Sequence, residues 1–135
     1  MIKIYPLLIA CAFTLDLMPR TAIKIENEEM FKELVSNSYK TWMVNLYFHS
    51  CPHCMKLKPV FENFVTSHSD RHDVEFGMID CDHNEDFCKK HPRDNCPSVL
   101  VFKDHKNPQK YTECPYEIDW TESDLDSCLA LQVDL

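Results

Sequence analysis

The sequence predicts an α/β domain, a central mixed sheet with helices on both faces, in the order β-α-β-α-β-α-β-β-α. Three observations predict it. Short, nearly unbroken apolar runs alternate with segments whose apolar residues recur at helical spacing. Unbroken apolar runs suit strands buried on both faces, which need crossover helices between them. Hydrophobic residues make up 44% of 135 residues, enough to build one core in a chain of single-domain length.

Each element has a local reason. Thr21 to Ile25 alternates weakly and predicts a short strand. Asn27 is a good N-cap for a helix whose apolar face is Met30, Phe31, Leu34 and Val35. Trp42 to Phe48 reads as a central strand. The helix opening after Cys51 runs to about Ser67, with Leu57, Val60, Phe61, Phe64 and Val65 as its buried stripe and Pro59 as a kink. Val74 to Asp80 is a second buried-type strand, Asn84 to His91 a short helix and Ser98 to Lys103 a third strong strand. Lys106-Asn107-Pro108 turns the chain into a short return strand, Gln109 to Glu113. Thr121 with Asp124 caps a last helix whose apolar face is Leu125, Cys128, Leu129 and Val133. Alternation predicts parallel strands, and the final hairpin adds an antiparallel edge. Gly77 is the one glycine, so turns and helix ends must be built from Asn, Asp, Ser and Pro.

Composition excludes some functions. A net charge of −8 argues against nucleic-acid binding. Eight cysteines point to an oxidising compartment or to metal binding. Residues 1–20 read as a signal peptide and leader: Lys3 precedes an apolar run, and Ala10-Cys11-Ala12 offers a cleavage site after Ala12. That run is too short for a membrane span. Residues 21–135 form the domain, and cleavage would remove Cys11 and leave seven cysteines, an odd number. The chemistry centres on Cys51-Pro52-His53-Cys54, set between a strand and a helix. There the unpaired N–H groups and the positive dipole end favour thiolate over thiol at Cys51. A zinc site using Cys96 and a histidine is the weaker reading, because no second close-spaced ligand pair exists.

The strand followed by C-x-H-C, Leu57-x-Pro59 behind it, Asp80-Cys81 with Cys88, and Cys96-Pro97-Ser98 together resemble the thioredoxin superfamily, and most closely a protein disulfide isomerase domain. The likeness covers about Ala22 to Val133. It implies a protein thiol–disulfide oxidoreductase, without cofactor or metal, acting on protein thiols and disulfides in the secretory pathway, in the endoplasmic reticulum lumen or secreted. Its redox partner stays unidentified. The implied roles are Cys51 as attacking nucleophile, Cys54 as resolving thiol and His53 as stabiliser of the Cys51 thiolate, the pair closing a redox-active disulfide. Pro97 would be a cis-proline that, with the backbone of Cys96, receives an extended substrate. Cys81 and Cys88 would form a structural disulfide. Cys96 would form an alternative disulfide or pair structurally with Cys114; the second option is preferred. Cys128 reads as a small core residue.

The family pattern is broken in places. Asn45 stands where the isomerases carry a buried acid, and Met78 where they carry its lysine partner. Joint loss leaves no buried charge stranded. The arginine expected between the last strand and last helix is missing from Cys114 to Asp119, and Ser50 replaces a common tryptophan. These groups are thought to move the proton that Cys54 must lose. Their loss favours an alternative reading, a redox-weak module that holds a client or partner.

Overall fold

The structure, a computed structural model, describes residues 19–91 and 96–133. The proposed cleavage site, Cys11 and most of the leader lie outside the described residues, as does the side chain of Val133. The elements are β1 (Ile23–Ile25), α1 (Glu28–Ser36), β2 (Thr41–Tyr47), α2 (Pro52–Ser67), β3 (Val74–Asp80), α3 (Glu85–Lys89), β4 (Ser98–Phe102), β5 (Thr112–Glu113) and α4 (Glu122–Val133). This is the expected order, with the ends of the short elements trimmed.

The sheet runs β1-β3-β2-β4-β5. β1, β3 and β2 are parallel, whereas β4 is antiparallel to β2 and β5 to β4. Direction thus reverses at β4, one strand earlier than simple alternation suggests. The connection holds only the 5-residue α3, too short for the long crossover helix of a parallel unit, and β4 starts from the end where β3 stopped.

Two cores flank the sheet. On one face Met43, Val99 and Val101 meet α2 through Leu57, Phe61, Phe64 and Val65, and α4 through Leu125 and Leu129. On the other, Val44, Leu46 and Leu100 meet Phe31 and Val35 of α1 and Phe87 of α3. Val60, expected in the buried stripe of α2, is only partly buried. The caps form as their sequences dictate. Asn27 Oδ1 accepts the Met30 N–H at 2.8 Å. The Thr121 N–H and hydroxyl both donate to Asp124 Oδ2 at 2.8 Å, and the Asp124 N–H returns to Thr121 Oγ1 at 3.2 Å. Helices α1, α2 and α3 end at Asn37, His68 and Lys90 without a left-handed residue. Gly77 serves packing instead: a Cβ there would meet Ile25 Cδ1 at 2.7 Å.

Arg20, the last residue of the stretch read as leader, is built into the fold. Its guanidinium donates to the carbonyls of His68 at 2.8 Å, Arg71 at 2.6 Å and Val74, and lies 3.4 Å from a Glu75 oxygen.

Two disulfides hold the thinner elements. Cys81–Cys88 ties the end of β3 to α3, and Cys114–Cys128 ties the end of β5 to α4. The second corrects two expectations. Cys114 pairs with Cys128 and not with Cys96, and Cys128 is a cross-link rather than a lone core residue. The Cys114 N–H bonds to the Val99 carbonyl at 2.8 Å, and Cys114 joins the core face where α4 packs. Cys96 directly precedes Pro97 and lies beside the C-x-x-C pair. The Cys114–Cys128 bond closes a 14-residue separation, which predicts a stabilisation of about 3 kcal/mol. Guanidinium denaturation of a chain with both residues changed to Ala should show that loss, with Cys81–Cys88 intact.

Candidate active site

β2 delivers the chain to the site. Its burial is continuous from Trp42 to Leu46, and it is paired along both edges, so the residues after Tyr47 emerge at a fixed point. Cys51 is the N-cap of α2, in extended conformation, with Pro52 in the first turn. A proline fits there because its missing N–H would have no helical partner. The Met55 N–H bonds to the Cys51 carbonyl at 3.1 Å and starts the helix. Cys51 is half-buried, and Cys54, one turn on, is buried.

The peptide bond between Cys96 and Pro97 is cis. The Cys96 carbonyl lies against the C-x-x-C pair, accepting a long contact from the Cys51 thiol at 3.5 Å. Cys51, Cys54 and Cys96 are all thiols. The His53 ring stands edge-on to Tyr116, centroids 6.4 Å apart, and its Nδ1 is buried with no partner among the described residues. Met55 and Ile118 expose apolar surface nearby in sequence. The thiols are not part of a metal-ligating cluster among the described residues. The group that does gather is His49, Asp80 and Asp82.

Burial pushes the Cys54 thiol up to about 12, with Cys51 and Cys96 adding to the shift and a backbone hydrogen bond at Phe48 opposing it. Asn45 and Met78 are register partners on β2 and β3. By strand alternation Asn45 shares the face of Met43, the face that α2 covers. Asn45 is 0% exposed, and neither amide atom has a partner among the described residues. The two positions that break the isomerase pattern are therefore direct neighbours under the C-x-x-C helix.

Sequence reasoning missed a cluster beside the site. His49 Nε2 lies 2.9 Å and His83 Nδ1 2.8 Å from Asp80 Oδ2. Burial pushes the Asp80 carboxyl up, but bonds from His83, His49 and the Asp82 N–H outweigh it and leave it below the ordinary carboxylate range. Asp80 was visible in the sequence only as the neighbour of Cys81, and nothing local linked it to His49.

A dithiol at the junction of a buried strand and a helix, faced by a cis-proline loop, defines the thioredoxin class of redox fold. Residues 22–121 match the thioredoxin family model, and the chain belongs to that family. The protein disulfide isomerase-like 2-3 of Oryza sativa subsp. japonica is 30% identical over 94 residues, 69% of this chain and 21% of that protein. Two solved structures share the fold. The Trx4 domain of ERdj5 superposes with a TM-score of 0.68 at 20% identity, covering 86% of this chain and 98% of that one. Oxidised mitochondrial thioredoxin 3 of Saccharomyces cerevisiae gives 0.65 at 18%, covering 84% and 95%. The chain spans about a fifth of the rice protein's length, and 9% of a DnaJ homolog subfamily C member 10 from Xenopus laevis. No helix among the described residues is long and apolar enough to cross a membrane.

The buried Cys54 thiol predicts a pH profile. A group whose folded value is raised loses its proton only at high pH, so Cys54 should resist iodoacetamide near neutrality. With Cys51 and Cys96 changed to Ser, its alkylation rate should rise about tenfold per pH unit from pH 7 to 9 without a plateau. Peptide mass mapping of timed samples reads this; a plateau below pH 9 contradicts it.

Proposed function

We propose that this chain is a thiol–disulfide oxidoreductase of the secretory pathway that oxidises or isomerises protein thiols through Cys51 and Cys54. The observation that carries the reading is a half-buried sulfur at the N-cap of α2 with a buried thiol one turn behind it. In the reducing direction the Cys51 thiolate attacks a substrate disulfide. A bond forms between Cys51 and one substrate sulfur, and the other leaves as thiolate. The Cys54 thiolate then attacks Cys51 Sγ, closing the Cys51–Cys54 disulfide and releasing the second substrate thiolate. The substrate gains two electrons and the dithiol loses them; oxidation of a client is the same sequence reversed. His53 stabilises the Cys51 thiolate, and Cys96 and Pro97 present the backbone against which an extended client lies. Protein thiols and disulfides are the substrates. Two disulfides away from the C-x-x-C pair, Cys81–Cys88 and Cys114–Cys128, support an oxidising compartment.

One feature of the site favours a second outcome, capture with slow release. The resolving step needs Cys54 as thiolate, and a thiol held near 12 is ionised to roughly one part in 10⁵ at pH 7. The uncharged Asn45–Met78 pair supplies no proton acceptor. Mixed disulfides on Cys51 would then persist, and the protein would hold clients more than turn them over.

Two measurements separate these behaviours. Reduction of insulin by dithiothreitol should be accelerated by the protein and not by Cys51→Ser; an inactive parent chain would overturn the enzymatic reading. Restoring an acid alone, Asn45→Asp, should cost roughly 3–5 kcal/mol because it buries an unpaired charge. The double variant N45D/M78K should recover much of that stability. It should also release a preformed Cys51 mixed disulfide roughly tenfold faster or more, read by acid quench and gel shift. Unchanged release in a stably folded double variant removes proton handling as the cause.

A further inference from the structure

A set of ligating groups separate from the thiols gathers where β2 and β3 end. Asp80 closes β3, and its side chain is only 9% exposed. Two imidazoles converge on one of its oxygens, His49 Nε2 at 2.9 Å and His83 Nδ1 at 2.8 Å from Oδ2. A simple ion pair needs one imidazole. Here His83 holds the carboxylate from one side while His49 brings a nitrogen donor to it from the loop after β2. Asp82 adds a second carboxylate: its Oδ2 accepts the His49 N–H at 2.9 Å, and ligand atoms of His49, Asp80 and Asp82 all lie within 4.8 Å of one another.

We infer that His49, Asp80 and Asp82 form a binding site for a divalent cation of the zinc class, with His83 as the hydrogen-bonded partner that orients the Asp80 carboxylate. The spacing fits. With zinc bonds of about 2.0–2.1 Å, ligand atoms of a tetrahedral site stand about 3.3 Å apart. The observed imidazole–carboxylate distances are shorter by about half an ångström, the size of change that ring rotation supplies. The His49 side chain is 62% exposed, so its ring has room for that change. The carboxylate it meets is fixed. Asp80 Oδ1 accepts the Asp82 N–H at 2.9 Å, the Asp80 carbonyl accepts from Asn84 Nδ2 at 2.9 Å, and Cys81–Cys88 locks the same turn.

The donor set selects the metal class. One neutral imidazole and two carboxylates carry −2, which a divalent ion neutralises. Imidazole donors favour zinc, copper(II) or nickel(II), whereas calcium and magnesium take shells of oxygen. Clefts of about 310 and 410 Å³ border His83, and both admit solvent as a remaining ligand. Asp86 lines the larger cleft beside Glu28 and Glu85, which are paired with Lys32, Lys90 and Lys89. Bound there, the ion joins the loop two residues before Cys51 to the turn after β3. The site does not depend on the redox reading, because no thiol belongs to it.

The test is zinc titration by calorimetry on the untagged full chain with Cys11, Cys51, Cys54 and Cys96 changed to Ser, which removes competing thiols. One equivalent should bind. In that background His49→Ala and His83→Ala should each weaken binding by roughly tenfold or more, and both should keep the parent circular dichroism because the rings are exposed. Zinc should raise the melting temperature of the chain with both histidines and of neither variant. Cobalt(II) should give tetrahedral visible bands in the four-serine chain. Absence of zinc uptake in that chain, or affinity unchanged in either histidine variant, overturns the site.

Discussion

Strand β2 is hydrogen-bonded along both edges and packed on both faces, so its register cannot slip without exchanging the two cores. The candidate site inherits that rigidity. β2 fixes where the chain emerges at Phe48, and Cys51 follows as the cap of α2. The same strand puts Asn45 on the face under α2 and beside Met78. Position and electrostatics of the C-x-x-C pair are thus two outcomes of one strand. A change in β2 that kept its hydrophobicity but shifted its period would disturb both.

The periphery is thinner than the centre, and sulfur compensates. α3 has 5 residues and β5 has 2, too little apolar area to hold either by packing alone. Each is anchored instead at a cysteine, α3 to the end of β3 and the end of β5 to α4. The two cross-links lie in opposite cores, so each face of the sheet carries its own covalent tie. The third group of cysteines, at the C-x-x-C motif and the cis-proline loop, stays as thiols. The chain thereby separates sulfur that holds shape from sulfur placed to react.

What was legible in the sequence was local. β2, β3 and β4 announce themselves as apolar runs, Asn27 and Thr121 as caps, and the C-x-x-C by its place between strand and helix. The Asn45 and Met78 departures were legible because the family pattern assigns those positions, and their adjacency follows from parallel pairing. What was not legible depended on distance along the chain. The partner of Cys114 is set by where α4 crosses the sheet, which no spacing encodes. The direction of β4 depends on how the chain between β3 and β4 is routed, for which the short α3 gives only a weak signal. His49 meets Asp80 across 31 positions, and Arg20 reaches carbonyls 48 to 54 positions away. An isolated histidine or arginine gives no hint of such a contact before the sheet is assembled.

The Arg20 guanidinium bears on how far the N-terminus could be trimmed. It satisfies carbonyls at the end of α2 and the start of β3, between which His68 to Asp73 reverse the chain. A signal peptidase cut near Ala12 would leave this plug in place. Trimming by even one residue beyond it would strip three acceptors of their donor and leave Glu75 with Lys40 as its neighbouring cation. The folded domain therefore sets its own limit on how far its N-terminus can be shortened, independent of any sequence preference of the protease.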